Sequence, residues 1–272
     1  MPRIKTPTPS QELRSFLHTV LDPQKDYSPA VEPEIQAKQL EDLDNIIANE
    51  SFYFVFNLQT AEFDQVKGVE QWLGYPGQEF TVNRYLNCIH PSQSVLHNLI
   101  ARSMYSTLCR GVFRLQFARQ KYISQIGLRH YNGEYLVFKK TTSVFQYDTE
   151  HRLLAQLNEF TKIDRYDNEL LRIRITETDG FQKEKFEQEI LRKTLEVFMD
   201  NKYFSPKEFK VLQAFAGQDA LQTRQLAEQL GLQPGTIDTY NKRILAKARS
   251  TFTRDFANAR EVALYLKKEK IL

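Results

Sequence analysis

The residues with most chemistry to offer lie near the C-terminus, in TRQLAEQLGLQPGTIDTYNKRILAKARS (223–250). Leu226, Ala227, Leu230, Leu232, Ile237, Ile244 and Leu245 are spaced to fill the angle between two helices. Ala227 is small where the helices would cross, and Gly231 suits the left-handed position that ends the first. This is a helix-turn-helix pattern. With Ile237, Ile244 and Leu245 turned inward, Asp238, Thr239, Lys242 and Arg243 face outward. A lysine on such a helix can donate to guanine O6 and N7, and an aspartate can accept from cytosine N4. Plainer roles compete: Asp238 can cap its helix or pair with Lys242 at i+4, and Arg243 and Lys247 can simply be solvated.

Other chemistry finds less support. No glycine-rich run follows a strand and opens a helix, so a phosphate loop is absent. The five histidines, His18, His90, His97, His130 and His151, lack metal-ligand spacing, and Cys88 and Cys109 form no CxxC pair. Neither metal nor cofactor is therefore expected. No paired carboxylates or nucleophile–base motif emerges, and the chain reads as a non-enzyme. Two cysteines fit a reducing cytoplasm. No apolar run approaches the roughly 18 residues of a membrane span, and MPRIKTPTPSQ lacks the apolar stretch of a secretory signal.

The elements that must position the outward cations follow from length and charge. At 272 residues and 41% hydrophobic, the chain suits two domains with ordinary cores. Residues 203–272 hold 12 Lys and Arg against 7 Asp and Glu, whereas the rest holds 25 against 27. A basic C-terminal quarter on a near-neutral body suits a polyanionic partner. Ser205, Pro206 and Glu208 spell a capping box opening a helix. The final segment sets Val262, Ala263 and Leu266 on one stripe, with Lys267, Lys268 and Lys270 at its end.

SPKEFKVLQAFA, QLAEQLGLQPGTIDTYNKRIL and AREVALYLKKEKIL together resemble the LuxR-type DNA-binding domain over Phe204–Leu272. Glu208 falls on that family's acidic position, and Thr236, Ile237 and Ile244 on its recognition-helix Thr-Val and Ile. The loop 217–222 is about two residues longer than usual. Tyr240 replaces a common histidine and Asp238 a frequent lysine. The resemblance implies Asp238, Thr239 and Lys242 over bases, with Thr236, Tyr240, Arg243 and Lys247 at phosphates. It also implies pairing on double-stranded DNA through Val262, Ala263 and Leu266 as a homodimer.

Upstream, residues 1–33 carry six prolines and read as a flexible segment with one short helix at Gln11–Leu21. Glu34–Asn49 reads as a helix that needs a surface to lie on. Aromatic SFYFVFNL and EFDQVKGV read as strands, Ser92–Leu108 as a helix, and Tyr122–Tyr131 with Glu134–Phe145 as a hairpin. Asn132-Gly133 between them suggests a type I′ turn. RLLAQLNEFTKI completes a five-stranded antiparallel sheet with helices on one side.

This order, with SFYFVFNLQTAEF, VEQWLGYPGQEF, Ile89-His90-Pro91 and HYNGEYLVFKKTTSVF, resembles a PAS domain over roughly Asn49–Asp164. The usual closing Asp-Ile-Thr is Lys162-Ile163-Asp164 here. Haem-binding members place a ligand near His90 and His97, but turn chemistry suits His90 and a surface or packing role His97. Asn87-Cys88 matches flavin photoreceptors, although Ile-His-Pro-Ser follows where Arg-Phe-Leu-Gln should. Trp72, Phe113 and Phe138 are candidates to line a pocket.

The fold class is thus α+β: a PAS-like five-stranded antiparallel sheet with flanking helices, then an all-α four-helix LuxR-type unit. The divisions are 1–33, a PAS-like 34–164, a connector 165–202 with a strand pair and a helix, and 203–272. The resemblances imply a bacterial transcription regulator whose PAS-like domain meets a small molecule or protein. The alternatives are a PAS-mediated interaction scaffold and a haem- or flavin-bound redox sensor.

Overall fold

In the computed structural model, residues 7–47, 51–166, 171, 174–175, 182–217 and 223–272 are described. Helix α1 (Pro9–Val20) opens on a capping box in which Thr8 Oγ1 accepts from the Gln11 N–H at 3.4 Å. Gln11 Oε1 accepts from the Thr8 N–H at 2.8 Å. Leu13, Leu17 and Leu21 are buried, so this lead-in is packed rather than free. Tyr27 and Val31 continue that burial, and Pro29 bridges to Asp148. Prolines break helices without preventing a segment from docking its apolar residues.

The sheet comprises β1 (Ser51–Asn57), β2 (Glu62–Lys67), β3 (Lys121–Arg129), β4 (Tyr135–Tyr147), β5 (Leu153–Arg165) and β6 (Arg174–Ile175). Their order is β2-β1-β5-β4-β3-β6, with every pair antiparallel. There are therefore six strands rather than the expected five. The extra one is two residues long and pairs Ile175 with Tyr122 and Arg174 with Ile123, closing the edge of β3. It falls in the connector, where the sequence predicts a small strand pair turning at Asp179-Gly180, and that turn lies outside the described residues.

Alternation along β1 sorts two cores. Phe52, Phe54 and Phe56 join the main apolar cluster, whereas Tyr53 and Val55 face the other way. Phe52 stacks on Phe160 at 4.5 Å and meets Phe138 edge-on at 5.4 Å. On the main face lie α3 (Val69–Leu73), α4 (Val82–Cys88) and α5 (Pro91–Leu108), whose buried residues belong to that cluster. Helix α2 (Pro33–Ile47) instead sets Leu40 and Leu43 against Tyr53, Val55, Phe145 and Leu157. The helices thus flank both faces of the sheet, not one, because β1, β4 and β5 each put apolar residues on both.

The β3–β4 turn also departs from expectation. Only Gly133 takes positive φ, at 95°, while Asn132 does not. The Gly133 N–H donates to His130 O and the His130 N–H to Glu134 O, which makes a three-residue loop ending on a left-handed glycine rather than a type I′ turn.

Helix α6 (Lys183–Asp200) packs along α5 through Phe186, Ile190 and Phe198. Four helices follow: α7 (Pro206–Gly217), α8 (Thr223–Leu230), α9 (Pro234–Phe252) and α10 (Ala259–Lys268). One apolar cluster runs from Leu13 to Ile271 without a break between the sheet and these helices.

Candidate functional site

Helix α7 starts as its sequence demands. The Glu208 N–H donates to Ser205 Oγ at 3.3 Å, and the Ser205 N–H donates to Glu208 Oε2 at 2.6 Å. The same buried carboxylate accepts from Lys247 Nζ on α9 at 2.7 Å. Burial pushes the Glu208 carboxyl up, but Lys247 and Ser205 outweigh it and hold the group below its ordinary value. Lys247 is thereby engaged within the domain and joins α7 to α9. That is a different position from the free phosphate cation the family pattern implied.

Between α8 and α9 the chain turns on Gly231, at φ 64°. The Leu232 N–H donates to Ala227 O and the Gly231 N–H to Glu228 O, the paired bonds of a Schellman ending. Leu226, Ala227, Ile237 and Ile244 are buried at 0–1% exposure, so the two helices lock through the side chains whose spacing suggested it. On the opposite side of α9, Asp238, Thr239, Lys242 and Arg243 are exposed. Thr239 Oγ1 bends back to Gly235 O at 2.9 Å, and Thr236 and Tyr240 are half-buried. The outcome is a helix carrying two adjacent exposed cations, without a side-chain partner among the described residues, beside one acid and one hydroxyl. The loop at 218–222 lies outside the described residues.

The stripe on α10 behaves otherwise. Val262, Ala263 and Leu266 are each 0% exposed, packed within the chain's own core against α7 and α9. They cannot also meet a second copy in this arrangement. An apolar stripe looks the same in sequence whether a neighbour in the chain or a symmetry mate covers it.

The suggested pocket residues do not converge. Trp72 is half-buried on α3, and its Nε1 has no partner among the described residues. Phe113 meets Phe186 of α6 edge-on at 5.1 Å, and Phe138 sits at the centre of the aromatic core. His90 does serve turn chemistry, since Nδ1 accepts from the Ser92 N–H and the ring stacks on Tyr166 at 4.1 Å.

A polar cluster occupies the interior instead. Lys140 of β4 is buried, with Nζ 3.5 Å from His97 Nε2 and 5.6 Å from the centre of the Tyr85 ring. Tyr85 Oη lies 3.3 Å from the same histidine nitrogen. Gln156 donates to Tyr105 Oη at 2.8 Å, and Thr142 to Asn158 Oδ1 at 2.8 Å. Desolvation lowers the lysine to about 7. Burial, then the neighbouring lysine charge, hold His97 well below its usual range. His97 is half-buried and packs against this polar cluster, the second of the two roles expected for it. The clefts here measure only about 30 and 20 Å³, room for a water each and little more. Strand alternation could have found Lys140, since it shares parity with Phe138 and Thr142 on the inner face.

Among the described residues, no group of acids, histidines and cysteines could hold a metal ion, and no helix is long and apolar enough to cross a membrane. No family model matches this chain, and no curated protein matches it. Solved structures similar to it include the N-terminal domain of a diguanylate cyclase with PAS/PAC sensor from Marinobacter aquaeolei. That domain is 17% identical, spans 42% of this chain and 96% of its own, and superposes with a TM-score of 0.34. The phage VqmA–DPO complex is 15% identical over 87% of this chain and 92% of its own, with a TM-score of 0.30. The Vibrio cholerae VqmA dimer without target DNA, described as a LuxR-type receptor, is 12% identical over 84% and 87%, with a TM-score of 0.30.

Proposed function

We propose that this protein is a DNA-binding transcription regulator, with no catalytic step, acting in the cytoplasm. The α8–turn–α9 unit carries the reading. Its buried Ile237 and Ile244 and its Schellman turn fix a helix whose opposite face offers Asp238, Thr239, Lys242 and Arg243 to a groove. In this reading Lys242 reads base edges, with Asp238 and Thr239 beside it, and Arg243 meets phosphate. Thr236 and Tyr240 lie nearer the backbone. Two copies on two half-sites would give useful specificity, through a surface other than Val262, Ala263 and Leu266.

The PAS-like sheet and its helices form the regulatory half. Their filled interior favours control by a partner or by a molecule outside the core over a large ligand within it.

A salt titration on random duplex tests the reading. The logarithm of the binding constant should fall linearly with log salt, with a slope of about −0.9 per phosphate neutralised. Lys242→Ala and Arg243→Ala should each lose affinity at an unchanged melting temperature, and only Lys242→Ala should relax sequence preference. Absence of duplex binding at low salt would overturn it.

A further inference from the structure

A cavity of about 300 Å³ opens where the sensory half meets the C-terminal helices. Ile100 and Met104 of α5 and Ile190 of α6 give it an apolar wall. The end of α10 closes it with Lys268, Glu269 and Lys270. This volume sits at the lower end of the range for small-molecule sites, and it is about ten times that of the clefts around Lys140.

The charges describe what fits. Among the described residues, the charged lining comprises Arg174, Lys268 and Lys270 against Glu187 and Glu269. Of the acids, Glu269 is buried and already accepts from the Leu171 N–H at 3.2 Å. Its burial also pushes the carboxyl up, towards the neutral form. Among the described lining residues the cations outnumber the acids.

We propose that this interface cavity binds a small amphiphilic carboxylate. Its apolar body lies against Ile100, Met104 and Ile190. Its carboxylate lies within the field of Arg174, Lys268 and Lys270. Because the walls come from both halves, occupancy adds contacts to each at once. Any effect on DNA binding rests on the regulator reading above; the binding itself does not.

The test uses the full chain with ¹³C-labelled methionine methyl groups and contains no DNA. Of the three methionines, Met104 lines the cavity and Met199 lies towards the far end of α6. Octanoate, octylammonium and octanol are titrated in turn. Octanoate should shift the Met104 methyl resonance saturably and leave Met199 in place, with octylammonium at least about tenfold weaker. The exposed pair Lys268→Gln and Lys270→Gln should weaken octanoate several-fold. A Met104 signal unmoved by octanoate would overturn the proposal. So would equal binding of octylammonium, or unchanged octanoate affinity in the doubly substituted variant. None of these results bears on duplex affinity, so the two readings fail separately.

Discussion

Lys140 stands in surroundings unlike those a lysine ordinarily meets. Burial lowers it from 10.5 to about 7, so the folded state holds the neutral amine where the unfolded chain is still charged. The sign follows from proton counts. Between about pH 7 and 10.5 the unfolded state binds more protons, and stability rises with pH. Below 7 the folded state carries the buried charge, and the full cost is present. Lys140→Met should therefore raise stability by a few kcal/mol, about 2–4, at pH 6 and remove most of the rise between pH 7 and 10.5. Urea unfolding of both proteins across that range checks it. The faces of Tyr85 and Phe160, 5.6 and 5.9 Å from Nζ, offset part of the cost in the charged form. The same scale separates Lys242 and Arg243 from Lys247. All three read alike in sequence as cations on α9. Only Lys247 reaches the Glu208 carboxylate, because position 247 comes round to α7 while 242 and 243 do not.

At the scale of elements, legibility tracked the range of the interactions that decide each one. The capping box at Ser205 and the turn at Gly231 are settled within four or five residues, so the sequence shows them plainly. Aromatic, β-favouring composition exposed β1, the Asn-Gly between two β-rich runs exposed β4, and helical spacing exposed α5 and α6. The third dimension was hidden where one pattern serves two ends. Asn132-Gly133 is compatible with two hairpin loops, and the choice turned on where His130 and Glu134 pair. Helix α2 was visible, but the face it covers was not, because Leu40 and Leu43 carry no label for one side of a sheet. The α10 stripe is the plainest case. Val262→Glu puts a carboxylate where no solvent reaches and should lower stability by about 3 kcal/mol or more. Thermal melting with far-UV circular dichroism reads this directly. A variant that melts like wild type and loses only affinity for paired half-sites would restore Val262 to an intermolecular surface.

The whole molecule is held as one body by contacts that no local pattern announces. Tyr265 Oη donates to Ser92 O at the start of α5, and the Leu171 N–H donates to Glu269 at the end of α10. Around Tyr265, Phe252 and Phe256 pack at 5.4 Å each, with the Arg254 guanidinium 5.1 Å from the Tyr265 ring. These join a basic helical unit to the sheet through a shared apolar cluster, so cooperativity should extend across both. Trp72 is the single tryptophan and reports on the sheet side, while ellipticity at 222 nm weights the helices. The two signals should share one urea midpoint in the native chain. Tyr265→Phe with Glu269→Ala removes both cross-contacts named above yet keeps the aromatic packing. It leaves the Leu171 N–H buried without its acceptor, a cost of about 1–3 kcal/mol borne by the junction and not by either core. The ellipticity midpoint should then fall below the Trp72 midpoint, as the helices lose the support of α5 first. Midpoints that move down together would mean that the shared apolar cluster alone couples the halves. Separate midpoints already present in the native chain would mean that the junction contributes little to either.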